Sequence, residues 1–208
     1  MKEITVFAVL YGVLPLLIYK IKNISLKPVE PFIWVVFIAS LYEFFGTYIL
    51  KFNATYWLQV YKILAFVSIH YFFYKLLKSK YLLLFKFFIV AFLMLQLFCF
   101  LKRDSIDFLD INAYFNLLQT IIVIVFSVLW FRSIFLNLEL DSFTKSPMFY
   151  FVSGLILYYS GTVFLFLLSN FIFTMDKSNF QSFWMLNIFL NFVLRTLLII
   201  GVWKGKVK

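Results

Sequence analysis

Apolar residues come in seven long pulses along this chain, and the stretches between them are short and polar. The pulses cover residues 4–19, 32–50, 56–77, 81–101, 112–136, 149–173 and 183–203. Most have the roughly 17–25 residues that a helix needs to cross a hydrocarbon core about 30 Å thick. Runs this long and this continuously apolar satisfy their own backbone in lipid as helices rather than as the alternating strands of a barrel. The pattern predicts an all-α polytopic membrane protein, a bundle of seven transmembrane helices forming a single domain over 1–208. The first pulse is the shortest and contains Gly12 and Pro15. It is read as a retained helix, because Tyr19-Lys20-Ile21-Lys22 follows it in place of a small-residue cleavage pattern.

The longest connection runs over 137–147. A soluble domain of about 50 residues cannot be housed in such loops. Any site is therefore built from the helices, and a receptor role calls for an output partner on a separate chain.

Composition supports the membrane reading and orients it. Apolar residues make up 64% of the chain and charged ones 13%, outside the range of soluble domains. With the N-terminus outside, the outer segments carry Lys2, Lys51, Lys102, Arg103 and Lys177. The inner segments then carry Lys20, Lys22, Lys27, Lys75, Lys78, Lys80, Lys86, Arg132, Lys145, Lys204, Lys206 and Lys208. This asymmetry predicts N-out, C-in in the cytoplasmic (inner) membrane of a bacterium. The net charge of +10 belongs to helix ends that meet the anionic headgroups of the bilayer, not to a nucleic-acid surface. The single cysteine, Cys99, excludes an internal disulfide. Lys and Phe are abundant in the manner of A/T-rich codon usage, so the 31 phenylalanines are not read as a ligand-stacking device.

Polar residues inside the pulses are costly and mark interior contacts. Ser40, Glu43 and Thr47 share one face of the second segment, and Gln59, Lys62, Phe66 and His70 share one face of the third. Asn112, Asn116 and Gln119 group on the fifth, and Asn187, Asn191 and Arg195 on the seventh. At 1.5 Å per residue, Glu43 and Lys62 both lie roughly 10 Å below the outer boundary. They join across the turn at Phe52-Asn53-Ala54, so an ion pair between them is expected. That pair is the expected floor of an outward-facing ligand pocket walled by Gln96, Asn116, Gln119, Asn187 and Asn191. His70 and Arg195 lie deeper as relay or structural polar groups. No carboxylate is expected at the depth of Arg195, so its guanidinium is read as snorkelling or meeting carbonyls.

Ser153-Gly154 and Ser160-Gly161 in the sixth segment form a small-residue strip, which predicts close helix approach inside the bundle or across a homodimer. Asp104, Asp107 and Asp110 read as carboxylates leading into the fifth helix rather than as a metal site. Paired histidines, G-x-S-x-G, paired intramembrane aspartates and a Gly-rich phosphate loop are all missing. No catalytic residue, metal or cofactor is therefore expected.

Four stretches carry a resemblance: Leu41-Tyr42-Glu43-Phe44 leading to Asn53, Ser146-Pro147-Met148-Phe149-Tyr150, the run from Gly154 through Tyr158-Tyr159-Ser160-Gly161, and the Asn187…Asn191 spacing. In these the chain resembles a loosely defined group of small seven-helix proteins of Bacteroidota, similar to the seven-helix sensor halves of some histidine kinases. The resemblance implies a signalling or accessory role with Glu43 and the Tyr-Ser-Gly segment as recurrent features, and it supplies no ligand. The leading expectation is a non-enzymatic sensory or accessory protein acting through a cytoplasmic or membrane protein partner. The alternative is a small transporter or pore with a Glu43, Lys62 and His70 relay.

Overall fold

The computed structural model describes residues 6–7, 10–52, 54–77, 80–102, 106–136, 145–175 and 177–205. Among the described residues, eight α-helices have defined bounds, in order α1 Leu14–Ile21, α2 Glu30–Leu41, α3 Ala54–Leu77, α4 Leu82–Leu101, α5 Phe108–Leu136, α6 Pro147–Leu167, α7 Ser169–Met175 and α8 Lys177–Trp203. Between α2 and α3 the chain winds as a π-helix over Tyr42–Ile49. Pro15, Pro31 and Pro147 each sit in the first turn of a helix, where the missing N–H costs nothing and the fixed φ favours helical winding.

Five helices, α3, α4, α5, α6 and α8, are long and apolar enough to cross a membrane. The chain is therefore a multi-pass membrane protein. These five coincide with the third to seventh pulses to within a few residues, except that the sixth pulse is divided. Its helix stops at Leu167, and α7 resumes after a turn at Leu168. There the Ser169 hydroxyl donates to the Phe166 carbonyl at 2.7 Å, drawing on a backbone acceptor of the last turn.

The first two pulses depart further from the expectation. The first is broken by a turn at Gly12–Val13 and is helical again only from Leu14. Pro15 explains the break, since its ring excludes the carbonyl four residues back. The second pulse is one continuous rod of 12 α-helical residues followed by 8 π-helical ones. Sustained π winding is rare and concentrates at functional positions.

The packing is a closed ring in the order α1, α2, α3, α5, α6, α8 and back to α1. The tightest interface is α6 on α8, and the short α7 lies against α5, α6 and α8. Helix α4 leans on α5 outside this ring and buries only Phe85, Phe88, Phe92 and Cys99. The centre is phenylalanine: Phe72, Phe73, Phe85, Phe126 and Phe151 are fully buried, and Phe85 stacks on Phe126 at 4.2 Å. Apolar side chains also cover the outside, as they must where lipid replaces water.

The two ends of the ring are tied differently. At one end the Lys22 ammonium lies 3.2 Å from the Trp203 ring centroid, and Lys204 donates to the Tyr150 hydroxyl at 2.7 Å. At the other, Asn170 donates to Asp110 at 2.9 Å and to Asp107 at 3.3 Å. The end of α1, the start of α6 and the end of α8 thus share one rim. The start of α5 and α7 share the opposite one.

Candidate functional site

Glu43 occupies the first turn of the π-helix, and the charge that acts on its carboxylate is that of Arg195 on α8. The expected Glu43–Lys62 ion pair is not formed. The Lys62 ammonium has no hydrogen-bond partner among the described residues, and the titratable group acting on it is the Cys99 thiol of α4. Depth counted along the chain favoured Lys62 as the partner and placed Arg195 deeper, whereas the structure makes Arg195 the charge acting on Glu43. On α3 the residue facing the charge pair is Tyr61, next in sequence to Lys62 and turned from it by about 100°. Arg195, expected to snorkel or meet carbonyls, is the charge that acts on Glu43.

Several elements enclose the pair. Tyr61 from α3 and Tyr158 from α6 interact with both charges, and Tyr159 couples to the two other tyrosines. Arg195 is only 6% exposed and Ser40 is fully buried. Gly12, at the break in the first segment, lies directly on the guanidinium. A Cβ there would come 2.8 Å from Arg195 Cζ and 2.9 Å from Nη1, and closer still to the Ser40 hydroxyl. The flanking residues hold this lid in place, with Tyr11 stacked on Phe192 at 4.5 Å and its hydroxyl 3.3 Å from that of Thr196. Any larger residue at Gly12 would have to displace the Ser40 hydroxyl and the Arg195 guanidinium.

The residues expected to wall one pocket are distributed among separate places. Lys62 points between the rings of Phe115 and Phe108, at 5.1 and 5.5 Å, away from Glu43. Gln96 is exposed on α4. Gln119 is buried on α5 with its Nε2 unpartnered, and Asn116 and Asn187 each keep a buried, unpartnered Oδ1 among the described residues. Asn191 is half-buried on α8. The two cavities described are apolar. One is a closed gap among residues such as Phe32, Phe72 and Leu198, and the other is an open groove of about 520 Å³ between α4 and α5. None of the expected pocket residues lines either.

His70 sits in an aromatic box of Phe66, Phe85 and Phe126, at 5.3, 5.0 and 6.0 Å, with neither ring nitrogen hydrogen-bonded among the described residues. A relay from Glu43 through Lys62 to His70 is therefore interrupted at its first step. The helix-6 strip is filled from within the chain. A Cβ on Gly154 would lie 3.2 Å from Leu194 and Leu197, and one on Gly161 would lie 2.8 Å from Leu190. Of the two arrangements expected for the strip of Ser153, Gly154, Ser160 and Gly161, close approach inside the bundle is seen at both glycines, which face α8. Ser160 bonds back to Ile156 at 2.6 Å. Of the three aspartates around the start of α5, Asp107 and Asp110 hold the Asn170 amide, and Asp104 lies outside the described residues.

Tyr61 and the lid glycine were missed in the sequence. Tyr158 and Tyr159 were visible there only inside an apolar motif, because a tyrosine in a membrane span reads equally well as core or interface. Ser40 was legible, being one turn before Glu43 on the same face.

No protein family, curated protein or solved structure matches the chain. What the fold and the site define is a helical multi-pass membrane protein in which Arg195, covered by the turn at Gly12, acts electrostatically on Glu43.

Proposed function

We propose that the chain is a non-enzymatic sensory or accessory protein of a bacterial inner membrane, crossing it seven times with its N-terminus outside. It passes the state of the Glu43–Arg195 centre to a separate protein at the inner rim. The observation that carries this reading is the centre itself. It ties the π-helix to α8 and gathers tyrosines from α3 and α6 under the broken first segment. A buried ion pair contributes little net stability, because desolvation offsets its attraction, yet breaking it is expensive. Such a pair suits an element with two arrangements, and the turn at Gly12 and the π winding supply joints beside it. Seven crossings require the α2–π rod and the first segment to count as spans. The sharing of rims described above supports that.

Photo-crosslinking in native membranes from positions at the inner rim, such as Lys145, tests the reading. The expected result is a discrete partner protein whose yield changes in Glu43→Gln. Recovery of the chain alone, or a yield indifferent to Glu43→Gln, overturns it.

The transporter reading retains one supporting observation, the unpartnered polar atoms of Lys62, Gln119 and His70 along the α3–α5 seam. Proton flux in proteoliposomes that His70→Phe abolishes would favour it over the sensory role.

A further inference from the structure

Rings lock α4 to α5 along one flank only. Phe85 stacks on Phe126 at 4.2 Å, Phe88 meets the same ring at 5.4 Å, and Phe92 meets Phe115 at 5.4 Å. On the neighbouring flank the two helices stand apart and leave the open groove of about 520 Å³. Ala91, Leu95 and Phe98 line it from α4, and Tyr114, Leu117 and Ile121 from α5. Ala91 is the one short side chain among them, which gives the groove its depth at that end. At the other end Lys102 extends the α4 stripe, because positions 91, 95, 98 and 102 fall within about 60° of one another at 100° per residue. The Lys102 N–H bonds the Phe98 carbonyl at 3.0 Å, so this exposed lysine stands one turn beyond a lining residue, at the rim where α4 ends and α5 begins. From Ala91 to Lys102 the rise is about 16 Å. That is the depth of one leaflet in a hydrocarbon core about 30 Å thick.

Hydrocarbon rather than water fills such a groove. Tyr114 is the only lining residue with a polar side chain, and a held water needs roughly two to four polar partners. An apolar groove by itself takes the tail of any lipid, and the lysine at its mouth supplies the selection. An ammonium offers donors alone, and at headgroup depth it favours an anion. We infer that the α4–α5 groove is a binding site for one anionic phospholipid, with an acyl chain lying from Phe98 down to Ala91 and the headgroup phosphate on Lys102. Side chains lean toward the N-terminus of their own helix, which for α5 is this same rim, so the Tyr114 hydroxyl is carried toward the ester and phosphate oxygens. A second copy of the chain suits the groove less well. A two-fold axis along the membrane normal would set Lys102 against Lys102 at equal depth, placing like charges together. The site is separate from the Glu43–Arg195 centre. It holds in either orientation of the chain and does not rest on the sensory reading.

The test places the full chain in phosphatidylcholine nanodiscs with a trace of phosphatidylglycerol, or of phosphatidylcholine, carrying a diazirine in its acyl chain. Photolabelled residues are mapped by mass spectrometry. Saturable labelling within 91–98 and 114–121 is expected, about fivefold stronger for the phosphatidylglycerol probe, the scale of one lysine at an anionic surface. Lys102→Gln should bring the two probes level, and Lys102→Arg should retain the preference. Ala91→Phe fills the base of the groove and should lower labelling there by both probes. If Ala91→Phe does not fold, Lys102→Gln decides alone, being a change at an exposed helix end. Equal labelling by the two probes in the unaltered chain, or an undiminished preference in Lys102→Gln, overturns the proposal. So does labelling spread evenly over the lipid-facing residues of all five long helices, or full labelling of a folded Ala91→Phe. Chain-to-chain crosslinks through Ala91 or Ile121 would assign the groove to a second copy and overturn it as well.

Discussion

Replacing Glu43 with glutamine removes the carboxylate that opposes Arg195 while keeping the side-chain volume. Removing one member of a buried pair costs about 3–5 kcal/mol, because the remaining charge stays in low dielectric. Glu43 keeps some exposure and Tyr61 and Tyr158 lie nearby, so the lower figure of about 3 kcal/mol is expected. For a chain of this length that corresponds to a fall in Tm of roughly 6–12 °C. Arg195→Gln should cause a similar loss. The double variant strands neither charge and should recover about 2 kcal/mol of the summed loss, a coupling typical of contacting charged groups. Glu43→Gln combined with Lys62→Met is the internal control. Those side chains do not pair, and their effects should add to within about 0.5 kcal/mol. Thermal unfolding in detergent, followed by tryptophan fluorescence, measures all five variants. Plain additivity in the Glu43–Arg195 cycle, or strong coupling in the Glu43–Lys62 cycle, would refute the assignment of partners.

Three further outcomes follow from the packing. Gly161→Leu should cost about 1–3 kcal/mol by overpacking against Leu190 while leaving the oligomeric state unchanged by size-exclusion chromatography; a shift in oligomeric state without loss of stability would restore the dimer strip. His70→Phe should raise Tm by a few degrees, since it removes two unpartnered nitrogens from an aromatic box at about 1–3 kcal/mol of desolvation cost. A clear fall in Tm would show that the imidazole has a partner. In a Cys99→Ser background, Asp107→Cys should react with an impermeant maleimide on intact cells, and Lys204→Cys only after permeabilisation. Labelling of both on intact cells contradicts N-out, C-in.

Much of the fold was legible because span length is a one-dimensional property. A continuous apolar run announces a helix wherever it sits in the bundle, and α3, α4, α5 and α8 begin and end close to their pulses. Breaks were less legible. Gly12 and Pro15 marked a weak first segment, yet nothing in the pattern marks Tyr42–Ile49 as π-wound, since its composition suits an α-helix equally well. That winding matters for the site. A stripe counted at 3.6 residues per turn loses its phase where the winding changes, and Glu43 stands at that change.

The chain's own order of residues determined that it is helical and multi-pass, and that Glu43, Lys62, His70 and Arg195 are its costly intramembrane groups, because burial of polarity in lipid is penalised whatever the neighbours. Which of these meet was decided only by the tertiary structure. Pairing depends on the rotation of each helix about its axis: α3 packs on the π-helix, yet the charge acting on Glu43 is that of Arg195 on α8. The same packing fills the Gly154 and Gly161 strip from within the chain and leaves Lys62 with aromatic rings and a thiol. Which residues are costly in lipid is written in the sequence, whereas which of them meet is settled by packing, and the site depends on both.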